Sequence, residues 1–198
     1  MVSPIDNLIR ALAKLPGLGK RSAERAALAL VRKPELLLDT LVSALQEARA
    51  TVCCCTVCGA FTSKEQNPCK LCTEATRDDG VLCVVEEPSD IFSIERSGGF
   101  NGRYHALMGK LSPAKQTGPS DLRLRELAAR VARGGVREVL LALSTDMEGD
   151  TTAGYIGELL KPHGARVTRL AFGLPADSGV SYSDPLTLKR AIKGRMDV

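Results

Sequence analysis

The sequence predicts an α+β protein built from several modules: a helical hairpin, a small four-cysteine segment, an α/β domain with a mainly parallel sheet, and a C-terminal helix. Three observations predict this architecture. A glycine-rich turn joins two helical patterns near the N-terminus, two Cys-x-x-Cys pairs follow, and strand and helix patterns then alternate. We expect the modules to occupy residues 1–52, 53–77, 78–175 and 176–198.

The composition excludes several classes of protein. The chain has 198 residues, 44% of them apolar and 25% charged, with a net charge of +4, as in a globular protein and unlike a disordered one. Its apolar runs are far shorter than the roughly 18 residues that a membrane span needs, and we see no signal peptide. Seven cysteines without an export signal favour metal binding or free thiols over a disulfide scaffold. We therefore expect a cytoplasmic protein.

Three helical patterns occupy the N-terminal quarter, over residues 4–15, 22–31 and 35–50. Leu15-Pro16-Gly17-Leu18-Gly19 separates the first two and predicts a tight turn, because Gly17 and Gly19 let the backbone bend sharply and approach a ligand. The second helix then begins with free N–H groups, which favour binding of an anion.

Basic residues crowd around this turn. Residues 1–52 hold 8 basic and 5 acidic residues, whereas residues 78–198 hold 16 of each. The turn resembles the helix-hairpin-helix motif, which binds the DNA backbone without contacting bases. The predicted DNA-binding residues are Gly17, Gly19, Lys20, Arg21 and Arg25. An ordinary helical turn beside a solvated basic face is the alternative interpretation.

The second motif is a pair of Cys-x-x-Cys sequences separated by ten residues. Two such pairs complete a tetrahedral zinc site with no open position, so the metal would be structural. Redox-active thiols are the alternative. Cys53 or Cys54 could replace Cys55, but only Cys55 leaves two residues between itself and Cys58. The predicted zinc ligands are Cys55, Cys58, Cys69 and Cys72.

The rest of the chain alternates between strand and helix patterns, which predicts βαβ units around a parallel sheet. The predicted strands cover residues 81–86, 104–108, 138–143 and 166–171, and the predicted helices cover residues 88–96, 119–131, 151–160 and 185–193. In such sheets, functional groups gather at the carboxyl ends of the strands. Four acids follow the first and third strands: Glu86, Asp146, Glu148 and Asp150. We expect them to cap helices and bind a protein partner, with Mg²⁺ binding and catalysis as alternatives.

These acids resemble the pattern of the Toprim fold of topoisomerases and primases, a strand-end Glu with a later Asp-x-Asp. Here Ser144 stands at the first Asp position and Asp146 at the second, so one metal ligand is missing. The missing ligand argues against two-metal phosphoryl chemistry. A small Mg²⁺-dependent nuclease or topoisomerase-like enzyme stays open as the alternative function.

The order of the parts, over essentially the whole chain, resembles the RecR family of bacterial recombination mediators. The matching segments include Leu15-Pro16-Gly17-x-Gly19, the four-cysteine block, Arg77-Asp78, Val84-Val85-Glu86, Gly102-x-Tyr104-His105, Leu111-Ser112-Pro113 and Glu148-Gly149-Asp150-x-Thr152-Ala153. One departure is Asp146, which stands where the family usually has Thr.

The resemblance implies a non-enzymatic protein of DNA repair and recombination. It implies a ring-like homotetramer that binds DNA without sequence preference and acts with RecO and RecF. Together these would help to load RecA onto gapped DNA coated by the single-strand-binding protein, in the cytoplasm at the nucleoid. It places the family's DNA-contacting Lys and Arg at Arg21 and Arg25, and it ties Glu86, Glu148 and Asp150 to partner binding. It also implies that residues 176–198 contact another subunit.

Overall fold

The computed structural model describes residues 3–171, 173–174 and 179–195. The chain forms two compact units, Met1–Val52 and Cys53–Val198. The predicted α+β fold class is confirmed, while the predicted partition into four modules stays a prediction. Among the described residues there is no helix with both the length and the apolar character needed to cross a bilayer.

The first unit is helical. It comprises α1 (Pro4–Leu12), α2 (Lys20–Arg32), a π-helical turn (Pro34–Leu38) and α3 (Asp39–Thr51). Ala23 and Ala27, one turn apart on α2, are fully buried, and their small side chains let neighbouring helices approach closely. In contrast, α3 has no buried residue at all.

The second unit contains a small cysteine-rich segment and a four-stranded sheet with its helices. The segment holds β1 (Val52–Cys54), β2 (Phe61–Ser63) and α4 (Lys70–Thr73), of which β1 and β2 form a two-stranded sheet. The remaining elements are β3 (Asp78–Val85), α5 (Pro88–Ser97), β4 (Gly102–Ala106), α6 (Leu124–Ala132), β5 (Glu138–Ala142), α7 (Met147–Leu160), β6 (Arg166–Arg169) and α8 (Pro185–Lys193).

The large sheet is parallel throughout, with the strand order β4-β3-β5-β6. After β3 the chain continues to β4 at one edge of the sheet, whereas after β5 it continues to β6 at the other edge. Because parallel crossovers are right-handed, α5 covers one face of the sheet, and α6 and α7 cover the opposite face. The carboxyl ends of β3 and β5 therefore form a topological switch point, the usual position of a functional site in such sheets.

Alternate residues of β3 point into two different cores. Leu82 and Val84 join the core made with α6 and α7, whereas Cys83 and Val85 join the core on the other face. In that second core the sheet packs against Ile91 of α5 and against the cysteine-rich segment. The segment thus covers sheet surface that a second helix would otherwise have to cover.

Several element boundaries differ from those predicted. The helix predicted over residues 119–131 begins with a short 3-10 turn, and α6 itself starts at Leu124. The helix predicted over residues 151–160 begins a full turn earlier, because the Asp146 carboxylate accepts a hydrogen bond from the Gly149 N–H (2.7 Å) and caps α7. Because most side chains of that first turn are polar, hydrophobic periodicity does not predict it.

His105 lies fully buried on β4, an edge strand of the sheet. Its Nε2 lies 2.8 Å from the Arg123 carbonyl oxygen, and its buried Nδ1 has no hydrogen-bond partner among the described residues. Since a carbonyl only accepts, the ring is neutral with its proton on Nε2. Burial accordingly lowers the pKa of His105 to about 4.

This buried histidine predicts a loss of stability in mild acid. The unfolded chain takes up the proton near pH 6.5 and the folded protein only near pH 4, so stability falls as the pH drops through that window. Between pH 7 and pH 5 the wild type should lose about 2 kcal/mol more than His105→Gln, which cannot titrate. Urea unfolding at the two pH values measures this, and equal losses in both proteins would contradict the prediction.

Candidate functional site

The turn between α1 and α2 has the geometry of a tight hairpin. Gly17 has a φ of +78°, a left-handed conformation that only glycine adopts readily. The Leu18 N–H donates to the Leu15 carbonyl oxygen (3.1 Å) and closes the turn. Helix α2 follows with Gly19 at its N-cap, where no side chain accepts from the backbone. The first-turn N–H groups of α2 are thus available to an external acceptor.

All the basic side chains around this turn are exposed. They are Arg10, Lys14, Lys20, Arg21, Arg25, Arg32 and Lys33. Among the described residues of the first unit, Lys20, Arg21 and Arg25 form no ion pair, and the nearby Glu24 is the single acid of α2. The surface is therefore positively charged and uncompensated, as phosphate binding requires.

The four cysteines of the predicted metal site come together in the second unit. Their sulfur atoms all lie within 4.8 Å of one another, with 3.5 Å between Cys58 and Cys69 and 3.9 Å between Cys55 and Cys72. Among the described residues, no other group of His, Cys, Asp or Glu offers three such ligand atoms. The N–H groups of Ala60 and Cys69 donate to sulfur atoms of the cluster (3.4 and 3.3 Å), so backbone amides fix the positions of the sulfurs.

The pKa values of two thiols in this cluster are shifted in opposite directions. Burial raises the pKa of Cys55, but the N–H groups of Cys58, Cys69 and Val57 outweigh it and bring the pKa to about 6. A hydrogen bond with Cys72, together with burial, raises the pKa of Cys58 far above its usual value. Ionising all four sulfurs in this buried space requires a bound cation, and the cluster can hold one metal ion.

The structure also separates the neighbouring cysteines that the spacing left ambiguous. Cys54 is exposed, and Cys53 faces Asn67, whose Nδ2 lies 3.6 Å from the sulfur. Cys55 is the one that joins the cluster. Cys83 lies on β3 in the adjoining core, where burial raises its pKa to about 12 and keeps it a neutral thiol.

At the switch point, Glu86 joins the ends of the two central strands. Its Oε1 accepts a hydrogen bond from the backbone N–H of Ser144 (2.6 Å), two residues after the end of β5. A Cβ on Gly149 would lie 2.1 Å from the Ser144 carbonyl oxygen, so glycine is needed for α7 to start this close to the strand end. Ser144 thus contributes its backbone and hydroxyl at a position where a Toprim metal ligand was expected.

Three of the four predicted acids surround Lys110. Its Nζ donates to Asp146 Oδ2 and to Ser144 Oγ (3.1 Å), and lies 3.7 Å from Glu148 Oε2 and 3.9 Å from Glu86 Oε2. The hydrogen bond from Lys110 lowers the pKa of Asp146 to about 2. Asp146 is therefore ionised at neutral pH, and the cluster already contains a cation.

Asp150, the fourth predicted acid, belongs to a different group of charges. Its Oδ1 accepts from Arg169 (2.8 Å), and its Oδ2 accepts from Arg190 of α8 (3.3 Å). Asp150 therefore ties the C-terminal helix to the start of α7, and the structure does not bring it together with the other three acids.

Sequence reasoning missed Lys110, Ser112, Arg169 and Arg190. Ser112 is buried, and its hydroxyl donates to Glu148 Oε1. No motif in the sequence pairs these residues with the acids, because each reaches its acid across 19 to 40 positions of the chain. The prediction of a parallel sheet indicates which strand ends meet, but not which loop supplies the positive charge that faces the acids.

Comparison with known proteins agrees with both units. Residues 5–49 match the family described as "RecR, helix-hairpin-helix", and residues 80–171 match the Toprim domain. The recombination protein RecR of Moorella thermoacetica is 44% identical over 195 residues, covering 98% of this chain and 97% of the relative. The chain belongs to the RecR family.

Other members of the RecR family show the same full-length similarity. The recombination protein RecR of Thermobifida fusca is 47% identical, and that of Streptomyces coelicolor is 45% identical, each over 191 residues. Both alignments cover 96% of this chain and 95% of the relative. The similarity to RecR therefore extends over the hairpin, the cysteine segment and the Toprim domain of this chain.

Proposed function

We propose that this protein is a non-enzymatic, DNA-binding mediator of recombinational repair that works as an oligomeric clamp. The observation that carries the proposal is the uncompensated basic surface around the Gly17 turn, in a chain of the RecR family. On this proposal the DNA-binding residues are Gly17, Gly19, Lys20, Arg21 and Arg25. The two glycines let a phosphate approach the α2 amides, and the three cations hold the adjoining backbone.

Binding through phosphates alone is weak, which favours an assembly. Few contacts of this kind give roughly micromolar or poorer affinity at physiological salt. When one hairpin of a closed oligomer binds DNA, the other hairpins are held near the same DNA, which raises their effective concentration. A ring would in addition retain DNA that passes through it.

Two apolar surfaces support a homotetramer. The first, which we call the α3 surface, consists of Leu36, Leu37, Leu41, Val42 and Leu45, all exposed. The second comprises Val180, Tyr182, Leu186 and Ile192 in the C-terminal segment, also exposed. A protein with two self-complementary surfaces can close into a tetramer with two kinds of interface. The proposed subunit contact of residues 176–198 lies partly outside the described residues.

The four-cysteine cluster fits zinc. A tetrahedral zinc ion with Zn–S distances of about 2.3 Å places its sulfurs about 3.8 Å apart, close to the observed 3.5 and 3.9 Å. Four thiolates leave no position for a substrate, so we assign the ion, bound by Cys55, Cys58, Cys69 and Cys72, a structural role.

The carboxylates at the switch point support a role in binding partner proteins. Asp146 and Glu148 keep part of their side chains exposed (53% and 29%), and the hydrogen bond from Lys110 keeps Asp146 ionised. We propose that this surface meets basic surfaces on RecO or RecF, and that the complex helps RecA replace the single-strand-binding protein on gapped DNA. With Ser144 at a ligand position and Asp150 held by two arginines, the site does not support Mg²⁺-dependent cleavage.

The first test concerns the hairpin. Arg21→Glu with Arg25→Glu should weaken binding of a labelled duplex at least about tenfold and reduce the slope of log affinity against log salt by about 2, because two phosphate contacts are lost. Fluorescence anisotropy at several salt concentrations measures both quantities. Lys64→Glu with Lys161→Glu, two exposed lysines of the other unit, is the matched control. Unchanged affinity in the hairpin variant would refute this DNA surface.

The second test concerns the metal. Protein purified without chelator should contain about one zinc ion per chain by elemental analysis. Cys69→Ser should lose it and lower the free energy of unfolding by about 3 kcal/mol or more, since metal binding contributes directly to folding. Cys54→Ser removes an exposed thiol outside the cluster and should change neither quantity. Full zinc content in Cys69→Ser would contradict the assignment.

The third test concerns assembly. The wild type should be a tetramer in solution, and Leu41→Asp with Leu45→Asp should convert it into a dimer, because one of two interface types is lost while the other remains. Light scattering after gel filtration measures the particle mass. Phe92→Asp, at an exposed apolar residue of α5, should leave the tetramer intact. A monomeric wild type would rule out the clamp.

A further inference from the structure

We propose that the Lys110 ammonium is the resident cation of the Toprim site in this protein, in the place that a divalent metal ion takes in a metal-binding Toprim domain. The inference rests on side-chain geometry at the switch point and does not depend on the proposed DNA clamp. It assigns the role of counter-ion to a residue of the loop between β4 and α6.

The hydrogen bonds of the three carboxylates point to a single bound cation. Each carboxylate uses one oxygen to bind the protein: Glu86 Oε1 accepts from the Ser144 N–H, Asp146 Oδ1 from the Gly149 N–H, and Glu148 Oε1 from the Ser112 hydroxyl. The second oxygen of each carboxylate faces Lys110 Nζ, at hydrogen-bond distance or within 3.9 Å. These three oxygens face one shared point, which is where a cation would bind. The Lys110 ammonium lies at that point.

The loop holds Lys110 in this position. The next residue, Leu111, donates its backbone N–H to Thr152 Oγ1 of α7 (3.0 Å), and Ser112 binds Glu148. The Lys110 side chain is about one-fifth exposed. Its pKa is raised by the hydrogen bond to Asp146 and by the charges of Glu86 and Glu148, so the group keeps its proton over the physiological range.

The remaining residues do not suit Mg²⁺. The ion prefers octahedral oxygen coordination at about 2.0–2.1 Å and usually keeps several waters. Here a fixed positive charge lies among the inward oxygens, and Asp150 binds arginines Arg169 and Arg190 instead. Any contact that a partner protein makes with the exposed parts of Asp146 and Glu148 would therefore be independent of Mg²⁺.

The test is a Mn²⁺ titration of zinc-loaded protein, followed through the electron paramagnetic resonance signal of free Mn²⁺. Lys110→Met keeps the apolar stem and removes the charge, so it should bind Mn²⁺ at least about tenfold more tightly than the wild type. Lys115→Met, which removes an exposed lysine of the same loop, should behave like the wild type. Adding Asp146→Asn to Lys110→Met should abolish the new site.

Two results would overturn the inference: a wild type that binds Mn²⁺ as tightly as Lys110→Met, or a folded Lys110→Met that gains no binding. Asp146→Asn alone provides a test that does not need the Lys110 variant to fold. Because the wild-type site holds lysine, this substitution should leave Mn²⁺ binding unchanged, and a clear loss of binding would show that the metal uses the wild-type acids.

Discussion

The fold depends on how the second face of its parallel sheet is covered. Cys83, Val85 and Tyr104 present apolar surface on that face, and α5 alone does not cover it. The rest of the cover is the cysteine-rich segment, which has only short elements and no core of its own. Its buried cysteines contribute to the core and form the metal cluster at the same time. A metal ion bound by this cluster would therefore stabilise the whole second unit, because it would cross-link a segment that has no core of its own.

The same sheet creates an electrostatic constraint at its carboxyl edge. The opposite directions of the chain after β3 and β5 leave a crevice into which both strand ends direct acids. Three carboxylates at this distance repel one another unless a cation lies between them. A lysine from a neighbouring loop meets this requirement within the chain, and the hydrogen bond from Ser144 to Glu86 then holds β3 and β5 together at the same place. The Toprim framework can thus keep its acids without metal chemistry.

How far the sequence predicts the structure depends on the range of each interaction. The cysteine ligands are recognisable because their spacing is local, and the order of strands and helices follows from periodicity. The start of α7 is missed because its first turn is polar and capped by Asp146. The two strands β1 and β2 and the helix α4 of the cysteine-rich segment are too short to give a recognisable pattern. Lys110 is invisible for a different reason: only the folded sheet brings position 110 to positions 86, 144 and 146.

The first unit raises a question of stability that the proposed assembly would answer. Helix α3 has 13 residues and buries none of them, although an isolated helix of that length is marginal in water. In the proposed assembly, its apolar residues would gain contacts with a second copy, which offers an equally apolar surface. The same contact would bring two basic hairpins into one particle. Because each hairpin alone holds phosphates only weakly, the burial that stabilises α3 would also supply the multivalency that DNA binding needs. Stability of the first unit and affinity for DNA would then depend on the same interface.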